Sequence, residues 1–303
     1  MVNISFSKKS VAIIGNKFVL PKKLELIVKN ENYETNIYEE YRTQDFYTKE
    51  IWLKLKSLGI KPEDLYGKNI LDLCSGSGFL SYHILKRAKP ASITLAEISP
   101  EETKNSKKLL NRIEGTLLNY INEDVLNIKN ANNKYDIVIG NSFLHHLYDI
   151  PKSSSKFLKY LKPGGFFIIL HEPTPPAVLL ESANLKDYFS LLAKKNKNAI
   201  IDKYRYGGPG FVERPFGGDV WYFESHEIID LFMKSGYKDV KVVPWHLLRP
   251  VLVAIKSIHL SRTKPKMTKN EKFLLRLAIA ADNVLNKILP ASFFGSFSLI
   301  AKK

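Results

Sequence analysis

The chain has 303 residues, a formal net charge of +16, 45% hydrophobic and 25% charged side chains. These proportions describe one large globular domain or two small ones and exclude collagen-like, disordered and disulfide-scaffold proteins. The single cysteine, Cys74, excludes an intrachain disulfide and cysteine-rich zinc or iron–sulfur sites.

The N-terminal segment 1–50 carries a hairpin signal at Gly15-Asn16 and a tyrosine-rich stretch, Tyr33–Tyr47, and is expected to act as a lid. Its first residues lack the long apolar core of a signal peptide, and no apolar run reaches the ~20 residues of a membrane span. A cytoplasmic location is therefore expected, with membrane-peripheral contact left open.

From about 69 to 173 short apolar runs alternate with helical stretches. Asn69–Cys74 reads as a buried strand, followed by a glycine turn and a helix through about Arg87. Ser92–Glu97 is the next strand. Ser99-Pro100-Glu101-Glu102 then marks a helix start, with Ser99 as cap and Glu102 closing a capping box. Strands follow at Leu117–Ile121 and Tyr135–Gly140, then a helix at Ile150–Leu161. Lys162–Gly165 reads as a turn and Phe166–Glu172 as a strand. After an aromatic, glycine-rich insertion at 174–224, Ser225–Gly236 reads as a helix capped by Ser225, and Asp239–Val243 as a strand. A second insertion, 245–293, precedes a last strand at Ser296–Ala301. This alternation predicts an α/β, Rossmann-like sheet of seven mostly parallel strands with helices on both faces. The core comprises 51–173, 225–244 and 294–303, and the two insertions form a helical and aromatic cap.

Ligands of such sheets sit beyond the carboxyl ends of the strands. There the chain places Asp72-Leu-Cys-Ser-Gly-Ser-Gly78 between a strand and a helix, and Glu97 about 20 residues on. Gly76 and Gly78 allow close backbone approach, and a carboxylate at Glu97 can accept two hydrogen bonds from a ribose diol. The dinucleotide pattern G-x-G-x-x-G is broken by Ser81 at its third glycine, which counts against a nicotinamide cofactor and an oxidoreductase.

Five segments in order, Ile70–Gly78, Leu95–Glu97, Asn122–Val125, Tyr135–Leu147 and Leu161–Ile169, resemble the class I S-adenosylmethionine-dependent methyltransferases, in particular the small-molecule branch of ubiquinone and menaquinone methyltransferases. The resemblance implies S-adenosyl-L-methionine as cofactor and a set of contacts for it. Asp72, Cys74, Gly76 and Gly78 would line its methionine and ribose part. Glu97, with Ile98 beside it, would hold the ribose hydroxyls. Asp124 would meet the adenine amine, the Val125 backbone would lie beside the ring, and Asn141 would sit near the methionine end. The family usually has glycine where this chain has Cys74. Cysteine takes positive φ at a cost, so the turn is expected to be accommodated differently there.

The implied chemistry is an in-line displacement at a sulfonium methyl, for which the protein aligns the nucleophile and collects its proton. A cytosine-type transfer would need a catalytic cysteine, and Cys74 already sits in the cofactor loop. Amino-base transfer usually shows Asn-Pro-Pro-Tyr where this chain has Asn141-Ser-Phe-Leu144. No metal-binding carboxylates are evident, so no metal is expected. The candidate bases are His146, His171, His145 and Glu172. His226 and His246 read as structural or lid residues. Tyr38, Tyr41, Tyr206, Phe216 and Trp221 would line the acceptor pocket, with Arg205 and Arg214 placed to hold an acidic group on it. The expected reaction is metal-independent O-methylation of a small apolar or aromatic metabolite. N-methylation of an amine or peptide, and a noncatalytic cofactor-binding or RNA-associated protein, are the alternatives.

The charge is uneven. Residues 1–173 carry 25 basic and 19 acidic side chains, net +6, whereas 234–303 carry 14 and 3, net +11. Helical periodicity at Asn270–Leu289 gathers Phe273, Leu274, Leu277, Ala281, Val284, Leu285 and Ile288 on one face. Three readings are open for the basic insertion: a helix pair closing the pocket, contact with an anionic membrane surface, and RNA. The aromatics do not interleave with the lysines as in a base-stacking platform, so nucleic acid is the least favoured partner.

Overall fold

A computed structural model describes residues 12–14, 17–19, 45–147, 149–174, 176, 223–248, 252 and 268–303. Seven of its strands form one sheet: β3 (Asn69–Leu73), β4 (Ser92–Ala96), β5 (Leu117–Ile121), β6 (Tyr135–Asn141), β7 (Leu161–Pro173), β8 (Lys238–Trp245) and β9 (Ser296–Lys302). Their order is β5-β4-β3-β6-β7-β9-β8. β5, β4, β3, β6 and β7 run parallel, and β9 lies antiparallel between β7 and β8. This is the predicted mostly parallel α/β sheet. β1 (Ala12–Ile14) and β2 (Lys17–Val19) pair antiparallel with Ile14 opposite Lys17, so the hairpin flanks Gly15-Asn16.

The inner strands are apolar on both sides because each side is covered by helices, whereas the edge strands β5 and β8 are largely exposed or half-buried. Ile70, Ile93, Leu95, Ile137, Ile139 and Ile168 pack with Trp52 and Leu55 of α1 (Asp45–Leu58), Leu80 and Ile84 of α2 (Phe79–Leu85), and Leu110 of α3 (Pro100–Leu110). The alternate residues Leu71, Leu73, Val138, Phe167 and Ile169 pack with Phe157 of α4 (Ile150–Tyr160) and Phe232 of α5 (Ser225–Lys234). Phe167 stacks between Phe157 and Phe232, at centroid distances of 5.7 and 5.3 Å. Burying each such ring contributes about 2–3 kcal/mol.

Several local expectations are corrected. β7 continues through the expected Lys162–Gly165 turn. Pairing with β6 steps from Tyr135–Leu161 to Ile137–Phe166, so the intervening residues bulge out of the ladder, with Gly164 at φ 75°. Glu224, not Ser225, is the N-cap of α5. α1 runs from Asp45 to Leu58, through the expected end of the lid at residue 50, because its buried face belongs to the sheet's helical layer. Ser99 caps α3 by accepting from the Glu102 N–H, but the Ser99 N–H goes to Glu97 Oε1 at 2.9 Å and Glu102 Oε2 accepts the Ser77 hydroxyl.

The last helix, α6 (Lys269–Leu285), is closed at its start by a Thr268/Glu271 capping box. The face that packs is not the one selected from the sequence. Leu275, Ala278, Ile279 and Asp282 are buried, while Phe273, Leu277, Val284 and, in the following turn, Ile288 are exposed. Leu275 and Ile279 cluster with Phe46 of α1, and Asp282 Oδ1 accepts the Leu248 N–H at 3.1 Å. Apolar residues occupy more than half of this helix's circumference, so periodicity alone does not choose the buried side.

Candidate active site

The site is built at the carboxyl ends of β3, β4, β5, β6 and β7. The register pairs Leu73 with Ala96, Leu73 with Gly140, and Asn141 with Leu170. The residues that follow each strand therefore form one row, with neighbouring strands about 4.8 Å apart.

The first turn leaves β3 through Cys74. Its φ of 48° is left-handed, so cysteine keeps the conformation expected of glycine and the turn is not rebuilt. That conformation costs an L-residue about 1–2 kcal/mol. Gly76 (φ 51°) and Gly78 (φ 79°) follow. A Cβ on Gly76 would meet nothing nearer than Glu102 Oε2 at 3.9 Å, which leaves an open cradle. A Cβ on Gly78 would lie 3.0 Å from Ser106 Cβ and 3.3 Å from Leu110 Cδ1, so that glycine lets α2 and α3 approach.

Asp72, at the end of β3, is 1% exposed. Its Oδ2 accepts the Ser81 hydroxyl at 2.6 Å, and Oδ1 has no hydrogen-bond partner among the described residues. Burial, the leading cause, raises its pKa from 3.8 to about 7, against the lowering effect of Ser81. Ser81, which broke the dinucleotide pattern, is thus the residue that holds this carboxylate.

Glu97 is also buried. Its Oε2 accepts the Gly76 N–H at 2.8 Å and Oε1 the Ser99 N–H at 2.9 Å. With the Ile98 N–H also donating to this carboxylate, its two oxygens keep acceptor capacity for a hydroxyl donor. Burial pushes its pKa up, opposed by the Ser99 and Gly76 hydrogen bonds. Asn122 braces the same corner by donating to the carbonyls of Glu97 and Ile98, at 2.8 and 3.1 Å. Asp124 accepts from its own loop, Leu126 N–H at 2.9 Å and Asn127 Nδ2 at 3.2 Å, while Val125 is buried with its carbonyl held by the Tyr160 hydroxyl at 2.8 Å.

These features test the fit of S-adenosylmethionine. The unpartnered, buried Asp72 oxygen suits an ammonium, the Gly76 cradle admits backbone contact, and Glu97 keeps acceptor capacity for a ribose hydroxyl. The donor and acceptor set fits the group.

Asn141, the last residue of β6, is exposed, and Ser142 then turns the chain with φ 56°. Gly140 has no room for a side chain, because a Cβ would lie 2.4 Å from the Phe143 ring. Glu172, wholly buried, then clamps the following turn. Its Oε1 accepts the N–H groups of Phe143 (2.9 Å) and Leu144 (2.8 Å), and Oε2 accepts the His145 N–H (3.2 Å) and lies 2.7 Å from His145 Nδ1. With four donors converging, this carboxylate and His145 are engaged with one another rather than with a pocket. His146, partly exposed, lies against His145 with ring centroids 4.0 Å apart and the planes tilted by 44°. His171 is also partly exposed and left-handed, with φ 64°.

Periodicity gave no sign of the cluster next to His171. Its ring lies 4.7 Å from that of His246. His246 Nε2 is 3.0 Å from Glu50 Oε1, and its Nδ1 is 2.9 Å from the Ser296 hydroxyl. Glu50 also receives Lys54 Nζ at 2.8 Å, and both side chains are about 5% exposed or less. The one available sequence signal was the Glu50/Lys54 spacing of four within a helix. The expected pocket residues Tyr38, Tyr41, Tyr206, Phe216 and Trp221, with Arg205 and Arg214, lie outside the described residues.

Residues 70–165 match the "Methyltransferase domain" family. Among curated proteins, the chain is 26% identical over 162 residues to the 2-phytyl-1,4-naphtoquinone methyltransferase of Nostoc punctiforme, covering 50% of this chain and 67% of that protein. It is 27% identical over 144 residues to the ubiquinone/menaquinone biosynthesis C-methyltransferase UbiE of Pseudomonas paraeruginosa, covering 46% and 56%. A rice 2-methyl-6-phytyl-1,4-hydroquinone methyltransferase is 24% identical over 60% of this chain and 43% of its own length. The chain thus spans about half the length of the curated relatives it matches. The fold recurs in a methyltransferase of Thermotoga maritima, with TM-score 0.51, 16% identity and coverage of 93% and 99%. It recurs also in a Haemonchus contortus phosphoethanolamine N-methyltransferase solved with S-adenosylhomocysteine, with TM-score 0.54, 14% identity and coverage of 94% and 61%. Strand order, strand-end carboxylates and the family match over 70–165 converge: residues 70–165 are a methyltransferase domain, and the sheet that contains them has the fold of S-adenosylmethionine-dependent methyltransferases.

Proposed function

We propose that the protein transfers a methyl group from S-adenosylmethionine to a small, largely apolar aromatic metabolite bearing a hydroxyl, without a metal. The observation that carries this reading is the row of strand ends. Leu73, Gly140 and Ile169 are in direct register on β3, β6 and β7; Cys74 and Asn141 follow the first two directly and His171 lies two residues past the third, so His171 stands two strand spacings, about 10 Å, across the sheet from the cofactor turn.

In this reading Asp72 receives the cofactor's ammonium, Glu97 its ribose hydroxyls, and Asp124 and the Val125 backbone its adenine. The bound cofactor supplies an activated methyl on a positively charged sulfur. The chain's own task is to orient the acceptor and take its proton. Glu172 holds the turn that presents His146 and engages His145 through Nδ1; His145 is buried, so the partly exposed His146 and His171 are the favoured candidate bases. An imidazole suits the deprotonation of a phenol near neutral pH. A phenolate is nucleophilic at oxygen and at ring carbon, so proton removal serves O-methylation, as expected from the sequence. It serves ring-carbon methylation equally, the reading supported by the names of the quinone relatives.

The test has two stages. Calorimetry with S-adenosylmethionine should show one binding site that Glu97→Ala removes. Transfer of labelled methyl to a naphthoquinol with a short prenyl chain should then follow, with mass spectrometry separating ether from ring-carbon products. His146→Ala or His171→Ala should lower turnover at least about 100-fold. Full turnover in both variants refutes the histidine mechanism, and failure to bind S-adenosylmethionine refutes the whole reading.

A further inference from the structure

We propose that the outward face of α6 and the turn after it docks this protein on an anionic lipid surface. The described residues include seven exposed large apolar side chains, and four of them lie on this element: Phe273 (60%), Leu277 (51%), Val284 (56%) and Ile288 (71%). Spacings of four and seven residues place Phe273, Leu277 and Val284 within about 40° of one another on the helix, in a single stripe that Ile288 follows in the turn beyond its end. Ala280, also exposed, falls in the same stripe. Isolated exposed apolar residues are ordinary, but a continuous stripe of this size marks a contact surface.

The charges select the occupant. Lys269, Arg276 and Lys287 are exposed along one flank of the stripe, with Lys272 just behind them. The two acidic residues of α6 lie elsewhere. Asp282 is wholly buried, with Oδ1 on the Leu248 N–H, and Glu271 closes the capping box with Thr268 on the inner side of the helix. The sequence leading into the helix adds three more basic residues, Arg262, Lys264 and Lys266. An apolar stripe edged only by cations is the pattern of a helix that lies in the headgroup layer of an anionic bilayer. RNA would be met by the cations but would leave the aliphatic stripe in water. A second copy of the chain would bring two cationic flanks together.

The placement agrees with an apolar acceptor. The inner face of α6 packs through Leu275 and Ile279 on Phe46 of α1, and α1 carries Glu50 to His246 beside His171. Asp282 on the inner face of α6 also holds Leu248, two residues past His246, so one helix thickness, about 10 Å, separates the docking face from the His246 segment. This inference goes beyond the proposed reaction and does not depend on which atom is methylated.

The experiment is co-sedimentation of the full chain with vesicles of phosphatidylcholine alone, or mixed with phosphatidylglycerol. Binding is expected to the mixed vesicles only and to weaken at high salt. Phe273→Ser/Leu277→Ser should reduce it at least about tenfold, and Arg276→Gln/Lys287→Gln should reduce it and flatten its salt dependence. All four positions are exposed, so both variants should melt with the parent protein and bind S-adenosylmethionine equally. Absence of binding to mixed vesicles overturns the proposal, as does binding that the serine variant leaves intact. Self-association abolished by the serine variant, without vesicle binding, would assign the stripe to a second copy. Binding to a mixed-sequence RNA that depends on Arg276 and Lys287, again without vesicle binding, would assign the surface to nucleic acid. Both results overturn the lipid assignment.

Discussion

Replacing Asp72 by asparagine separates two demands that fall on one carboxylate. The side chain is 1% exposed, with Oδ2 on the Ser81 hydroxyl at 2.6 Å and Oδ1 without a partner among the described residues. Burial raises its pKa from 3.8 to about 7. A carboxyl whose pKa rises on folding is bound to its proton more tightly in the folded state. Between about pH 4 and pH 7 the folded protein keeps a proton that the unfolded chain has lost, so stability falls as pH rises through that window and levels off above it. At about 1.36 kcal/mol per pH unit, the deficit approaches about 4 kcal/mol at pH 8 but only about 1.5 kcal/mol at pH 5. Asparagine cannot ionise and retains an oxygen for Ser81. In cofactor-free protein the advantage of Asp72→Asn over the parent should therefore grow by about 3 kcal/mol from pH 5 to pH 8, or about 5 °C in Tm. Cofactor binding should move the opposite way, weakening at least about tenfold at pH 8 when the anion facing the ammonium is removed. Calorimetric melts at both pH values and a titration with S-adenosylmethionine measure the two effects. Melting differences that do not change with pH would refute the burial argument, and undiminished affinity would refute the ammonium assignment.

Other substitutions probe the frame around the site. Glu172→Gln turns an amide NH₂ toward N–H groups in a wholly buried pocket and should cost about 3 kcal/mol in urea unfolding; an unchanged midpoint would show that the clamp is not needed. Gly78→Ala combines a φ of 79° with a 3.0 Å contact to Ser106 Cβ and should lose about 2–3 kcal/mol by the same assay. At Cys74, φ 48°, a β-branched side chain is disfavoured, so Cys74→Val should lose about 2 kcal/mol, whereas Cys74→Gly should stay within about 1 kcal/mol of the parent. Equal stability of the two cysteine variants would mean that the turn relaxes out of the left-handed region.

The alternation of apolar runs and helical stretches was enough to read the sheet. β5 matches its predicted bounds, Leu117–Ile121, and the ends of β3, β4 and β6 fall within a residue of theirs. For β3, β4 and β6 this succeeded because a buried parallel strand must be apolar on both faces and its flanking turns must be polar or glycine-rich; β5, at the sheet edge, was legible from its short apolar run alone. The cofactor turn was legible for a related reason: it is contiguous in the chain, and its glycines answer local backbone demands. Residues that meet across the chain left no such trace. Glu50 reaches His246 over 196 positions, and Glu172 reaches the His145 turn over 27. Nothing at either position in the sequence states whether a carboxylate will find four donors or an open pocket.

The opening charge of +16 follows the same division. The sequence by itself determined the strand order's raw material, the strand-end carboxylates, the glycine turn and the concentration of basic residues after position 234. Tertiary structure alone decided that Leu275 and Ile279 of α6 turn inward onto Phe46, leaving Phe273, Leu277, Val284 and Ile288 in solvent beside the cations. The reason is geometric. A helix with apolar residues around most of its circumference can bury any of several faces, and the choice belongs to the surface it packs against.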